Sequence, residues 1–235
     1  MKPGTVEEPI VGVSMNFSYE SVGTRVDARV LGLAAEETWL VPHTPLSIQC
    51  GRDYFYEPRF IMVKASENGE WYDIYPEAFV TARDLELSIA TDLTDPRTGL
   101  CWWDTEESRW VWISEGPPVD GVVSGPTQGG GRFAVQVDSI APEVRNLNVR
   151  NGATLKSSWP IIRFELEDNL SGIKDDESID VRIDGRWLIP EYDTDKFVLK
   201  ADLRGRLQPG EHTLAISVTD RAGNTTELER QFFVK

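Results

Sequence analysis

Residues 218–235, VTDRAGNTTELERQFFVK, close the chain, and their reading decides the fold. Leu214, Ile216 and Val218 alternate with polar residues up to Asp220, and an apolar alternation resumes toward Phe232 and Val234. That is the period of two expected of half-buried strands. The five residues between, Asp220-Arg221-Ala222-Gly223-Asn224, are turn chemistry. Gly and Asn accept left-handed backbone angles, and an Asp or Asn side chain ties down loose amides nearby.

The same signature recurs upstream. In IIRFELED (161–168), Ile162, Phe164 and Leu166 face one way and Arg163, Glu165 and Glu167 the other. In IDVRIDGRWLI (179–189), Ile179, Val181 and Ile183 form an inward row, and Asp184-Gly185 supplies the pair that tolerates positive φ in a two-residue hairpin. EYDTDKFVLKADL (191–203) follows, then a turn at Pro209-Gly210 and the strand that leads to Asp220. Short strands at turn-punctuated intervals predict a β-sandwich.

The first half is also β in character. TPLSIQCGRDYFYEPRFIMVKAS (44–66), LELSIATDL (85–93), GLCWWDTEESRWVWIS (99–114) and GRFAVQVD (131–138) are short apolar or alternating runs parted by Gly, Pro and Asp. A single helical turn opened by Pro76 is the most helix expected, in YPEAFVTARDLE (75–86). The fold class expected is therefore all-β, two tandem antiparallel β-sandwich modules. A Trp-rich, acidic module takes residues 1–137 and a second takes 138–235, joined at Asp138–Pro142 with bending restrained by Pro142.

In residues 138–235 the motifs occur in a particular order: Asp138-x-x-x-Pro142, a strand ending in Asp168 and followed by Ser171-Gly172, the Asp184-Gly185 hairpin, the Pro209-Gly210 turn, and Asp220-x-Ala-Gly-Asn224. This combination resembles the bacterial immunoglobulin-like, or fibronectin type III-like, accessory modules of secreted and cell-surface proteins. The first half, with YFYEP, a Trp-centred hairpin and GGGRFAVQVDSIAP, looks like the module that often precedes such a domain behind lysostaphin-type zinc peptidases and in other large envelope proteins. The resemblance implies an immunoglobulin-like second module, a secreted, periplasmic or cell-surface location, and a non-catalytic accessory, spacer or protein-interaction role. The partners it implies are other domains of a parent protein or envelope proteins.

Composition bounds the function classes. A formal net charge of −15 and a sequence pI near 4.6 make nucleic acid and anionic membrane surfaces poor partners. No apolar run reaches the roughly 18 residues of a membrane span, and MKPGTVEEP lacks the apolar stretch of a signal peptide. Cys50 and Cys101 sit on expected strands, as buried thiols or as a disulfide. His43 and His212 have no ligand spacing with either, so neither zinc nor a peptidase centre is expected. That the chain is no enzyme is what the resemblance implies, a β-rich enzyme of unrecognised type being a further alternative.

Two candidate sites remain. Trp102, Trp103, Trp110 and Trp112 surround one hairpin, and the pleat puts Trp110 and Trp112 on the same face. If Val111 and Ile113 point inward, the indoles form a strip that stacks on sugar rings, the alternative reading being a carbohydrate-binding module; if the indoles fill the core, there is no strip. Trp71 poses the same choice. The second site is acidic. Asp138, Asp168, Asp220 and Asn224, with Asp175 and Asp176 nearby in sequence, are placed to meet at one end of the second sandwich and offer the oxygen ligands calcium uses. The structural alternative is that they cap backbone amides in solvated loops.

Overall fold

The computed structural model describes residues 16–21, 24–193, 198–202 and 205–235. The opening MKPGTVEEP, and residues 194–197 and 203 of EYDTDKFVLKADL, lie outside the described residues. The chain forms two compact units. The first comprises Met1–Leu93, Leu100–Ser114 and Pro118–Gln136, and the second Thr94–Gly99, Glu115–Pro117 and Val137–Lys235. Regular structure among the described residues is strand, apart from two 3₁₀ turns at Arg52–Tyr54 and Asp176–Ser178. The stretch 75–86 carries no helical turn; it runs from the end of one strand through bends to the start of the next.

Among the described residues of the first half there are eleven strands: β1 (Asn16–Ser21), β2 (Thr24–Leu31), β3 (Glu37–Leu40), β4 (Leu46–Cys50), β5 (Arg59–Ala65), β6 (Tyr72–Tyr75), β7 (Leu85–Ala90), β8 (Thr98–Asp104), β9 (Arg109–Trp112), β10 (Val122–Thr127) and β11 (Gly131–Val137). They build a seven-stranded sheet, β1-β2-β5-β6-β11-β8-β9, and a four-stranded sheet, β10-β7-β4-β3. Both sheets contribute to one core. Leu31, Ile61, Val63, Ile74, Leu100 and Phe133 come from the larger sheet, and Trp39, Leu46, Ile48, Leu87, Ile89 and Val123 from the smaller. Each row is the inward set of an alternating strand, so the arrangement is a β-sandwich. Cys50 and Cys101 are both buried thiols. Burial, reinforced by Glu37, pushes the Cys50 thiol up to about 12, so it behaves as a small apolar side chain.

The second unit uses β12 (Glu143–Arg145), β13 (Ala153–Leu155), β14 (Ile161–Glu167), β15 (Ile179–Ile183), β16 (Arg186–Asp193), β17 (Val198–Asp202), β18 (Gly210–Thr219) and β19 (Thr225–Val234). The strand order is β12-β14-β17-β16-β15-β18-β19-β13. One strand serves both halves of this sandwich. Residues 186–188 of β16 pair with β15, and residues 189–193 pair with β17. The change of partner falls beside Pro190, which has no N–H to offer a ladder. The two halves then close on one core of Ile162, Phe164, Leu166, Val181, Leu214, Ile216, Val218 and Phe232. The alternation read in 161–167 and 179–183 is the observed burial pattern. β13 differs from its neighbours by joining β19 in parallel.

Asp184 and Gly185 have φ of 51° and 77°, and Ile183 pairs with Arg186 across them. Positive φ at both central positions is the two-residue hairpin turn whose twist matches its strands. The turn is tied down from β18, where Thr213 donates its N–H to Asp184 Oδ1 at 2.9 Å and His212 Nδ1 meets Asp184 Oδ2 at 2.6 Å. A Cβ added at Gly185 would meet nothing within 4 Å, so the restriction there is in the backbone alone. Gly185→Val is expected to lower stability by about 1–3 kcal/mol in denaturant titration, because a β-branched residue resists φ near +77°. An unchanged midpoint would contradict that turn.

Candidate functional site

The acidic site is assembled by strand ends. Asp138 directly follows β11, Asp168 directly follows β14, Asp220 directly follows β18, and Asn224 directly precedes β19. One carboxylate oxygen from each of Asp138, Asp168 and Asp220 lies within 4.8 Å of the others. Asp138 and Asp220 are 1% and 5% exposed, so these are interior charges.

Most of the hydrogen bonds they accept come from loop amides. Asp138 accepts from the N–H groups of Ile140 (3.2 Å) and Ser171 (2.9 Å), and Asp168 Oδ1 from those of Leu170 (3.0 Å) and Gly172 (2.6 Å). Asp220 accepts the Asn224 N–H at 2.8 Å, and the Asn224 side-chain amide donates both to Asp220 Oδ2 and to the Asp138 carbonyl. The turn docks on its neighbour, with Arg221 N–H donating to the Gly172 carbonyl and Ala222 N–H to Ser171 Oγ. Arg97 brings a positive charge, donating to Asn224 Oδ1 at 3.3 Å while chelated by Asp95.

One oxygen is left over. Asp168 Oδ2 is buried and has no hydrogen-bond partner. Burial raises the Asp168 pKa, and the charges of Asp138 and Asp220 raise it further against the lowering pull of the Gly172 and Leu170 amides. A proton on Asp168 or a cation beside it relieves the same repulsion. Asn224 does not fit the role of fourth ligand expected from the sequence, because its Nδ2 faces the acids and its Oδ1 faces Arg97. Asp175 is elsewhere engaged, capping the 3₁₀ turn through the amides of Glu177 and Ser178.

The tryptophans are divided. Trp103 pairs with Trp110 and Cys101 with Trp112 across the β8–β9 hairpin. Trp112 is 5% exposed and donates its indole N–H to the Ser114 carbonyl, so of the two readings left open by the sequence the open strip of Trp110 and Trp112 is the one not formed. Trp102 and Ile113 turn the other way and pack against the core. Trp103 and Trp110, both half-buried, meet edge to face with ring centroids 5.2 Å apart. Sequence reasoning did not single out Trp159 and Trp187, which are 49% and 55% exposed.

No family model matches the chain. It is 31% identical over 100 residues to the uncharacterized protein YvnB of Bacillus subtilis (strain 168), a match that spans 43% of this chain and 7% of that protein. Among solved structures, CopC from Methylosinus trichosporium OB3b aligns with 40% of this chain and 93% of its own, at 15% identity and a TM-score of 0.33. Dimeric latent PorU from Porphyromonas gingivalis aligns with 86% of this chain and 24% of its own, at 15% identity and a TM-score of 0.34. The fold assignment rests on the strand pairing described above.

Asp168→Asn tests the electrostatics. A carboxyl whose folded pKa is raised contributes stability that is complete below its ordinary pKa and is lost as pH rises through the folded value. At pH 7 the wild type therefore carries a penalty that Asn lacks. The variant should melt above the wild type at pH 7, with the gap closing toward pH 4. Added calcium distinguishes proton from cation, since only a cation-relieved wild type gains on the variant. A variant that melts lower at pH 7 without calcium would show that the ionised carboxylate is stabilising.

Proposed function

We propose that this chain is a non-catalytic accessory region, spacer or protein-interaction segment, of a larger secreted or cell-envelope bacterial protein, its second unit an immunoglobulin-like module. Its partners are then other domains of the parent protein or neighbouring envelope proteins. The observation that carries this reading is where the motif residues of the second unit point. Asp138, Asp168, Ser171, Asp220 and Asn224 spend their polar groups on one another and on loop amides, which is the chemistry of a fixed scaffold. The partial match to YvnB supports it, since the matching segment forms only 7% of a much longer bacterial protein. Two units with separate apolar cores suit such a region, because each keeps its shape whatever is attached to it.

Brief trypsin treatment of intact source cells, followed by mass spectrometry of the released peptides, tests this directly. Peptides from this sequence should appear among the released set, and an antibody against it should detect a polypeptide much larger than 26.5 kDa. A protein of about that size, protected until the cells are lysed, would contradict the proposal.

A further inference from the structure

The outer face of the seven-stranded sheet in the first unit carries chemistry that a spacer does not require. β6, β11, β8 and β9 are successive neighbours in that sheet. Tyr72 and Ile74 of β6, Phe133 of β11 and Leu100 of β8 point into the core. Alternation therefore places Asp73 and Tyr75, Arg132 and Trp103 on the opposite face. Asp73 and Arg132 are directly opposed and joined at 2.7 Å, and the Arg132 guanidinium lies 5.0 Å from the Trp71 ring centroid. Two hollows of about 440 and 350 Å³ adjoin here and share this ion pair; Trp71 lines the first, and Tyr75 and Trp103 line the second.

Three features make the second hollow a built one. Trp110 fixes Trp103 by edge-to-face packing, so the exposed part of the indole is held in one orientation. Gly130 and Gly131 line the hollow where no side chain fits: a Cβ at Gly130 would stand 2.3 Å from the Pro76 carbonyl oxygen, and one at Gly131 would stand 2.6 Å from Trp102 Nε1. Burial, with Asp73 and Glu77 adding to it, raises the Tyr75 pKa, so its phenol stays protonated and able to donate.

We propose that this face is a binding site for a neutral oligosaccharide, with Trp71 and Trp103 as stacking surfaces and the Asp73–Arg132 pair, Tyr75 and Glu77 as hydroxyl partners. Flat aromatic faces match the C–H faces of sugar rings, and a carboxylate–guanidinium pair between them offers acceptors and donors together to vicinal hydroxyls. β6, β11 and β8, which carry these groups, span about 10 Å at their usual spacing, the reach of a short oligosaccharide. Asp73 and Glu77 outnumber Arg132 in the second hollow, which disfavours acidic glycans.

The test is a titration of the full chain with cellohexaose, mannohexaose, maltohexaose and chitohexaose, and with hyaluronan as the acidic control, followed by indole N–H signals in the NMR spectrum. At least one neutral hexaose should shift the Trp71 and Trp103 signals saturably with a Kd of about 0.1–1 mM, while those of Trp159 and Trp187 stay fixed. Trp103→Ala should weaken binding at least about tenfold. Ala78→Arg, which obstructs the hollow from an exposed rim position, should do the same with the melting midpoint unchanged. The proposal is overturned if no neutral hexaose binds, if hyaluronan binds better, if the moving signals are Trp159 and Trp187, or if both variants bind like wild type. None of these outcomes touches the accessory reading, which stands or falls on the cell-surface experiment.

Discussion

The turn Asp220–Asn224 sets the terms for the second unit. A link of this kind between two long strands leaves amides inside the fold, and a buried amide without an acceptor is costly. The Asn224 N–H is answered by Asp220, those of Ile140 and Ser171 by Asp138, and those of Leu170 and Gly172 by Asp168. Three carboxylates are thereby brought together; burial raises the Asp168 pKa, the Asp138 and Asp220 charges add to that, and one Asp168 oxygen is left without a partner. Arg97 sets a positive charge near Asp138 and Asp220, through a segment at 94–99 that belongs to the second unit although it comes from the first half of the chain. The same residues therefore fix the architecture and create an electrostatically unsettled spot in it.

The first unit meets a different constraint. Its sheets are unequal, seven strands against four, and each buries its inward row in a common core. Large aromatic side chains are used on both faces of the larger sheet. Trp102 faces the core, while Trp103 and Trp110 pack against each other on the outer face beside the Asp73–Arg132 pair. A buried Trp112 anchors that hairpin and leaves Trp103 to line the hollow.

Where the chain alternates cleanly, its sequence was enough. Ile162, Phe164 and Leu166, and Ile179, Val181 and Ile183, are buried as a period of two requires, and Asp184-Gly185 adopts the positive φ values its composition invites. The meeting of Asp138, Asp168 and Asp220 was also legible, because each ends or follows a strand of one sandwich. Other features were hidden for physical reasons. In Trp110–Ile113 every residue is large and apolar, so the pleat gives two faces without saying which is inward. The Asp73–Arg132 pair joins strands 59 residues apart, and the change of partner within β16 depends on tertiary closure. One signal was available: Trp71, Asp73 and Tyr75 alternate with buried Tyr72 and Ile74, marking an aromatic outer face that residue counting alone passes over.

Amide hydrogen exchange tests most directly the central claim that carboxylate-held loop amides are structural members of the second unit. Ser171 and Asn224 lie outside every strand, yet their N–H groups are bonded to buried acids at 2.9 and 2.8 Å. The account predicts that both exchange as slowly as Ile216 in the centre of β18, opening only when the whole unit unfolds. Exchange of Ser171 and Asn224 at the rate of exposed loops, with Ile216 still protected, would contradict it.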